Sequence, residues 1–268
     1  MIKKLLFALL LLIVNFCSGQ TKLLSWNLEN LGKSKSEASI AFMAAMMNDY
    51  DVIAVQEVVA GYGGPQAVAR IADALNRKGF KWDYTISEPT SSSGHKSERY
   101  AFIWKTAKVQ KIGRAWLEKK YHIEIEREPY LCTFKYKNKE FTVASFHAIT
   151  KNAQPETEIK YFKLIPQKYP TLNLIFAGDF NCPQSNTVFI PLKKMGYPST
   201  LVNKKTSLKM QCKEGNCLAS EYDNMFYNSM RIKRIGSGTI HFYKNFATMK
   251  EARIVSDHIP IWFDFSLN

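Results

Sequence analysis

Apolar runs of strand length alternate along this chain with stretches whose apolar residues recur at helical spacing. Leu23 to Trp26 and Val52 to Val55 are of strand length, and between them Ile40, Met43, Ala44 and Met47 form one face of a helix over Glu37 to Asn48. A second helix is expected from Pro65 to Arg77. Pro65 suits a first helical turn, Val68, Ile71, Ala72 and Leu75 make the stripe, and Gly79 stops it. Strands follow at Trp82 to Ile86, Tyr100 to Trp104, Tyr130 to Tyr136 and Phe141 to Phe146, the last two joined through Lys137-Asn138-Lys139 as a hairpin. The scheme then repeats: a helix near Glu156 to Leu164, an apolar strand over Leu172 to Ala177, a helix near Thr187 to Lys194, and strands near Asn224, near Thr239 and over Ile259 to Phe265. Such a series buries its apolar faces as a four-layer α/β (α+β) sandwich, two mixed sheets packed together with helices outside.

The first residues do not fit that scheme. Lys3 and Lys4 precede an apolar stretch from Leu5 to Val14, shorter than the roughly 20 residues of a membrane span, and Cys17 and Gly19 suit a cut before Gln20. Residues 1–19 read as a secretory signal peptide and 20–268 as a single domain, secreted or periplasmic, with no stable membrane association after cleavage. A retained anchor and lipid attachment at Cys17 are the alternatives, the latter disfavoured by bulky Phe16. No low-complexity linker divides the rest. Ser87 to Ser97, with Pro89, Gly94 and His95, reads as a surface loop.

Charge adds a partner class. Lys and Arg number 37 against 23 Asp and Glu, a formal +14, and loss of the leader removes two lysines and no acid to leave +12. That surplus favours a polyanion, although a solvated basic surface alone would also account for it. An oxidising compartment permits disulfides among Cys132, Cys182, Cys212 and Cys217. Cys132 lies in a strand-like run and reads as a buried thiol; Cys212 and Cys217 could close a small loop, or one of them could tether Cys182.

Several apolar runs end in polar groups useful for phosphodiester chemistry: Asn27 in SWNLEN, Glu57 in VQEV, His147 in SFHA, Asp179 and Asn181 in GDFN, and Asp257 and His258 in SDH. Strand ends of this kind are where α/β proteins assemble sites. With KSERYAFIW at 96–104, REPY at 127–130 and EYDNMF at 221–226, the order of these strings resembles the pancreatic-type (DNase I-like) deoxyribonucleases of the endonuclease/exonuclease/phosphatase superfamily, over Lys22 to Phe265. The resemblance implies that Glu98 orients His147 and Asp223 orients His258. His258 is then the general base for water and His147 the general acid for the leaving group, the opposite assignment remaining open. Glu57, placed after a buried-looking run, is the first metal ligand, with Asn27, Asp179 and Asp257 completing an oxygen-rich site for Mg²⁺ or Mn²⁺; Ca²⁺ is a possible structural ion. Asn181 would hold a phosphoryl oxygen or the water. Arg127 would bind phosphate through its planar fork, with an ion pair to Glu126 or Glu128 as the plainer alternative.

The chain departs from that family at two points. Val59 stands where an arginine reaches DNA, and Lys96 and Ser97 stand where an aromatic groove contact is offered; Gly61-Tyr62-Gly63-Gly64 or His95 is expected to substitute. The resulting expectation is a monomeric, secreted, metal-dependent endonuclease cutting DNA with little sequence preference. A phospholipid or sphingomyelin phosphodiesterase, or a small-phosphoester phosphatase, is the alternative. Of these, a lipid-cleaving enzyme requires an exposed apolar wedge, for which Phe242, Tyr243 and Phe246 are the nearest residues. A non-enzymatic binding protein would be expected to lose a histidine or the metal carboxylate, and neither is missing.

Overall fold

The computed structural model describes residues 20–93 and 96–268. The expected leader and His95 lie outside the described residues, and among those described no helix is long and apolar enough to cross a membrane.

Alternation along β1 (Thr21–Leu31) explains the layering. Leu23 faces the space between two sheets, while Leu24 and Trp26 face a helical layer. β2 (Val52–Val59) does the same, with Ala54 turned inward and Ile53 and Val55 outward. The first sheet runs in the order β12 (Ile232–Thr239), β13 (Ile261–Leu267), β1, β2, β4 (Glu98–Lys105), β3 (Trp82–Ile86). Its outer face is covered by α1 (Glu37–Met47) and α2 (Gly63–Asn76), through Ile40, Met43, Val68 and Ile71, and by α3 (Met249–Val255) through Ala252 and Val255.

The second sheet runs β11 (Asp223–Tyr227), β8 (Leu174–Asp179), β7 (Lys139–His147), β6 (Tyr130–Tyr136), β5 (Gln110–Leu117). Cys132, Val143 and Ile175 point into the inter-sheet core, and Leu131, Phe146 and Phe176 point out to Phe162, Ile165 and Leu192. This is the expected four-layer sandwich.

Two expected helices differ. The segment from Glu156 to Leu164 breaks into short helices Glu156–Ile159 and Leu164–Lys168, and Thr187–Lys194 is a 3₁₀ turn, Thr187–Phe189, continuing into Ile190–Lys194. Both β5 and the separate two-stranded ribbon of β9 (Leu208–Lys213) and β10 (Asn216–Leu218) go beyond the sequence expectation. The ribbon is closed by a Cys212–Cys217 disulfide, while Cys132 and Cys182 are buried free thiols.

The sheets matter for function through their two parallel pairs, β1 with β2 and β7 with β8. Parallel strands end side by side, and here both pairs end at the same edge of the sandwich. Beneath that edge Gln56, fully buried, donates to Ser145 Oγ (2.8 Å) and Ser25 Oγ (3.2 Å), bonding one sheet to the other.

Candidate active site

Register alone brings much of the site together. His147 stands opposite Asp179 at the end of the β7–β8 pair, and Asp223 stands opposite Asp179 across β8 and β11. Gly178 makes the approach possible: its φ is +146°, and a Cβ there would lie 1.9 Å from Phe146 O. On the other sheet, the ladder between β2 and β4 is interrupted from Val55 to Val58 and then pairs Val59 with Glu98. Glu57 lies in that irregularity with φ +59°, placing its carboxylate at the cleft instead of continuing the alternation.

Two imidazole–carboxylate pairs result. His147 Nδ1 bonds Glu98 Oε2 at 2.8 Å, and His258 Nδ1 bonds Asp223 Oδ2 at 2.6 Å. Both Nε2 atoms then face the same oxygen, Asp179 Oδ2, at 3.7 Å from His147 and 3.5 Å from His258. Backbone anchors fix each ring: His147 N donates to Tyr100 Oη (3.2 Å), His258 N donates to Ser256 Oγ (2.9 Å), and Trp26 Nε1 donates to His258 O (2.7 Å).

Electrostatics follows from these contacts. At His258 burial lowers the imidazole pKa, yet Asp223, Asp179 and Asp257 together lift it well above its ordinary value. His147 is also raised, burial being outweighed chiefly by Glu98. For Glu98 burial pushes upward, and His147 and Arg127 bring the carboxyl below the usual range.

Arg127 is bound differently from the plainer expectation. Its Nη1 lies 3.2 Å from Glu98 Oε2 and its Nη2 donates to Ala148 O, whereas Glu126 pairs with Lys96 and Glu128 with Lys119. Asn181, at φ +48°, donates Nδ2 to Ala148 O (3.1 Å) and its backbone N–H to Asp179 Oδ1 (2.8 Å). Both residues line a cleft of about 910 Å³ with His147, His258, Glu57 and Asp257.

The acidic end of the cleft fits a divalent cation. Asn27 is fully buried and its Nδ2 donates to Glu57 Oε1 (2.9 Å) and Asp179 Oδ2 (3.2 Å). Asp257 Oδ1 is a buried oxygen without a hydrogen-bond partner among the described residues. So is Glu29 Oε2, on a residue absent from the sequence expectation. Burial, then Asp257, raises the Glu29 carboxyl. Orphaned carboxylate oxygens of this kind are costly unless a hard cation meets them. Asp179, Asp223 and His258 also bring donor atoms within 4.8 Å of one another. Asp223 and His258 are committed to each other, however, so that trio is better described as an imidazole–carboxylate pair beside a second carboxylate.

The supporting residues beyond the sequence expectation are Glu29, Tyr100, Ser256 and Lys35, whose Nζ donates to Ile254 O (3.1 Å) and Val255 O (2.9 Å) at the end of α3. The φ of +39° at Glu29 and the burial of Lys35 are the signals that identify them, and both are properties of the fold. The three residues nearest to an apolar wedge do not form one. Phe242 is buried against Trp26 and Phe42, and Tyr243 and Phe246 pack on the same core.

Known proteins resemble this chain in sequence or fold. A "Deoxyribonuclease" from Thioalkalivibrio sp. (strain K90mix) is 24% identical over 286 aligned positions, covering 98% of this chain and 76% of that protein. The mannosyl-6-phosphatase of Bacteroides thetaiotaomicron VPI-5482 superimposes with a TM-score of 0.66 at 17% identity, covering 92% of this chain and 99% of that one. D. rerio TDP2 complexed with single strand DNA product gives 0.64 at 15% identity, covering 92% and 99%. The Endonuclease/Exonuclease/phosphatase family profile matches residues 24–258, and the chain belongs to that family.

Proposed function

We propose that the protein is an exported, divalent-metal-dependent endonuclease that hydrolyses DNA phosphodiester bonds with little sequence preference. The observation that carries this reading is the convergence of two carboxylate-oriented imidazoles on Asp179 Oδ2, beside unpartnered acidic oxygens. Support comes from the basic surplus and from the relative named a deoxyribonuclease.

In this reading His258 Nε2 removes a proton from the attacking water while Asp223 holds the Nδ1–H and stabilises the imidazolium. His147 Nε2 delivers a proton to the departing ester oxygen, its Nδ1–H held by Glu98, so one P–O bond forms, another breaks, and a phosphomonoester and an alcohol leave. Arg127 and Asn181 meet the equatorial phosphoryl oxygens as negative charge accumulates. Asn27, Glu57 and Asp257, with Glu29, would hold Mg²⁺ or Mn²⁺. When bound, the cation supplies positive charge to the phosphoryl group and offsets the carboxylate field on His258, returning that imidazole toward the neutral form a base requires.

A small-phosphoester phosphatase is the second reading, favoured by the likeness to the mannosyl-6-phosphatase. A panel of plasmid, single-stranded DNA, RNA, sphingomyelin and a chromogenic phosphomonoester, each with Mg²⁺, Mn²⁺ or chelator, separates the two. Nicking of plasmid supports the endonuclease; turnover of the monoester alone, with DNA intact, defeats it.

A further inference from the structure

The β9–β10 ribbon belongs to neither large sheet, yet its base is bonded into the site. Thr206, fully buried, donates its N–H to Ser220 O (2.7 Å) and accepts at Oγ1 from Asp223 N (2.9 Å). Leu208 N donates to Asp257 O (2.6 Å), and Arg253 Nη1 donates to Leu208 O (2.9 Å). The disulfide ties the two strands to each other toward the far end. The ribbon is therefore anchored at its base and closed within itself, and its residues Lys209 and Met210, next to that base, line the cleft.

Lys209 differs from the other cations of the cleft. The other cations lining the cleft are each beside a carboxylate: Lys96 with Glu126 (3.1 Å), Arg127 with Glu98 (3.2 Å) and Arg253 with Asp257 (3.5 Å). Lys209 has no ion pair among the described residues. Met210, next along the ribbon, is 72% exposed on the rim of the same cleft. An unpaired ammonium beside a soft, exposed thioether matches the alternation of a nucleotide strand, phosphate for the one and base face for the other.

We infer that the disulfide-closed ribbon is a strand-binding wall that selects polynucleotides over small phosphoesters. Lys209 contacts a backbone phosphate neighbouring the scissile one, and Met210 packs on a base. This rests on the endonuclease reading. A small ester reaches the histidines without meeting the ribbon, whereas a strand crossing the cleft must run along it. The bonds of Leu208 to Asp257 and Arg253 hold the neighbouring Lys209 at the cleft before substrate arrives, which lowers the ordering cost of binding.

The test compares wild type, Lys209→Gln and Met210→Ser on a DNA oligonucleotide and on bis(4-nitrophenyl) phosphate, with Mg²⁺ or Mn²⁺ and over a range of salt. Lys209→Gln is expected to lower the ratio of kcat/KM on DNA to that on the small diester roughly fivefold or more, and to reduce the salt slope by about one. Met210→Ser lowers the ratio without changing the slope. An unchanged ratio and slope in Lys209→Gln, or equal losses on both substrates, overturns the inference while leaving the endonuclease reading intact. A wild-type protein that turns over the diester but no nucleic acid overturns both together.

Discussion

At the scale of single residues, the site is a balance between burial and charge. His258 shows it most clearly, because burial alone would favour a neutral ring and Asp223, Asp179 and Asp257 reverse that preference. A raised folded pKa gives stability that is complete below the unfolded value of about 6.5 and is lost as pH rises through the folded one. Thermal unfolding of the chelated protein is therefore expected to show this loss above pH 6.5, and Asp223→Asn moves it to lower pH; coincident profiles for the two proteins would contradict the assignment. Glu29 adds a second case. Its carboxylate is raised by burial and by Asp257, so Glu29→Gln relieves repulsion in the cation-free protein and removes one oxygen from the cation. The melting temperature in chelator is expected to rise, and the Mn²⁺ concentration for half-maximal activity to increase roughly tenfold or more. A lower melting temperature with unaltered Mn²⁺ dependence would remove Glu29 from the site.

At the scale of elements, function depends on strands ending together. Gly178 permits β8 to lie against β7 so that Asp179 faces His147, and Gly178→Ala forces a Cβ against Phe146 O. The expected cost is about 1–3 kcal/mol of stability with a loss of activity, read by denaturant unfolding and turnover; a fully stable, fully active variant would mean the register tolerates the shift. Elements with two buried faces or clean alternation were legible in the sequence. Tyr130 to Tyr136 forms the expected strand, and α1 ends at Met47 with Asn48 as its cap. β5 was not legible because it is an edge strand, largely solvent-facing, interrupted by Gly113 at φ +61°. β9 presents mostly exposed positions, and its order comes from a disulfide and from long-range bonds to Asp257. The site divides similarly. His147, His258 and their carboxylates lie in recognisable strings, whereas Glu29 and Lys35 acquire meaning only when β1 and the end of α3 meet.

At the scale of the whole molecule, a net positive charge accompanies a cleft lined by Glu57, Asp179 and Asp257. In the proposed complex a cation would meet the acidic groups and a phosphate backbone the basic surplus. Backbone-dominated binding predicts that nicking at subsaturating DNA slows by at least about tenfold between 50 and 200 mM salt, through counterion release. A rate independent of salt would assign the basic surplus to solubility alone.

The central claim is that both imidazoles and the acidic pocket act on one phosphorus. Plasmid nicking with Mg²⁺ by wild type, His147→Ala and His258→Ala, beside wild type in chelator, tests it directly. The account predicts a loss of about 10²–10⁴-fold in each histidine variant, with DNA retention largely intact, and no nicking in chelator. Variants as fast as wild type, or cutting that persists without divalent metal, would contradict it.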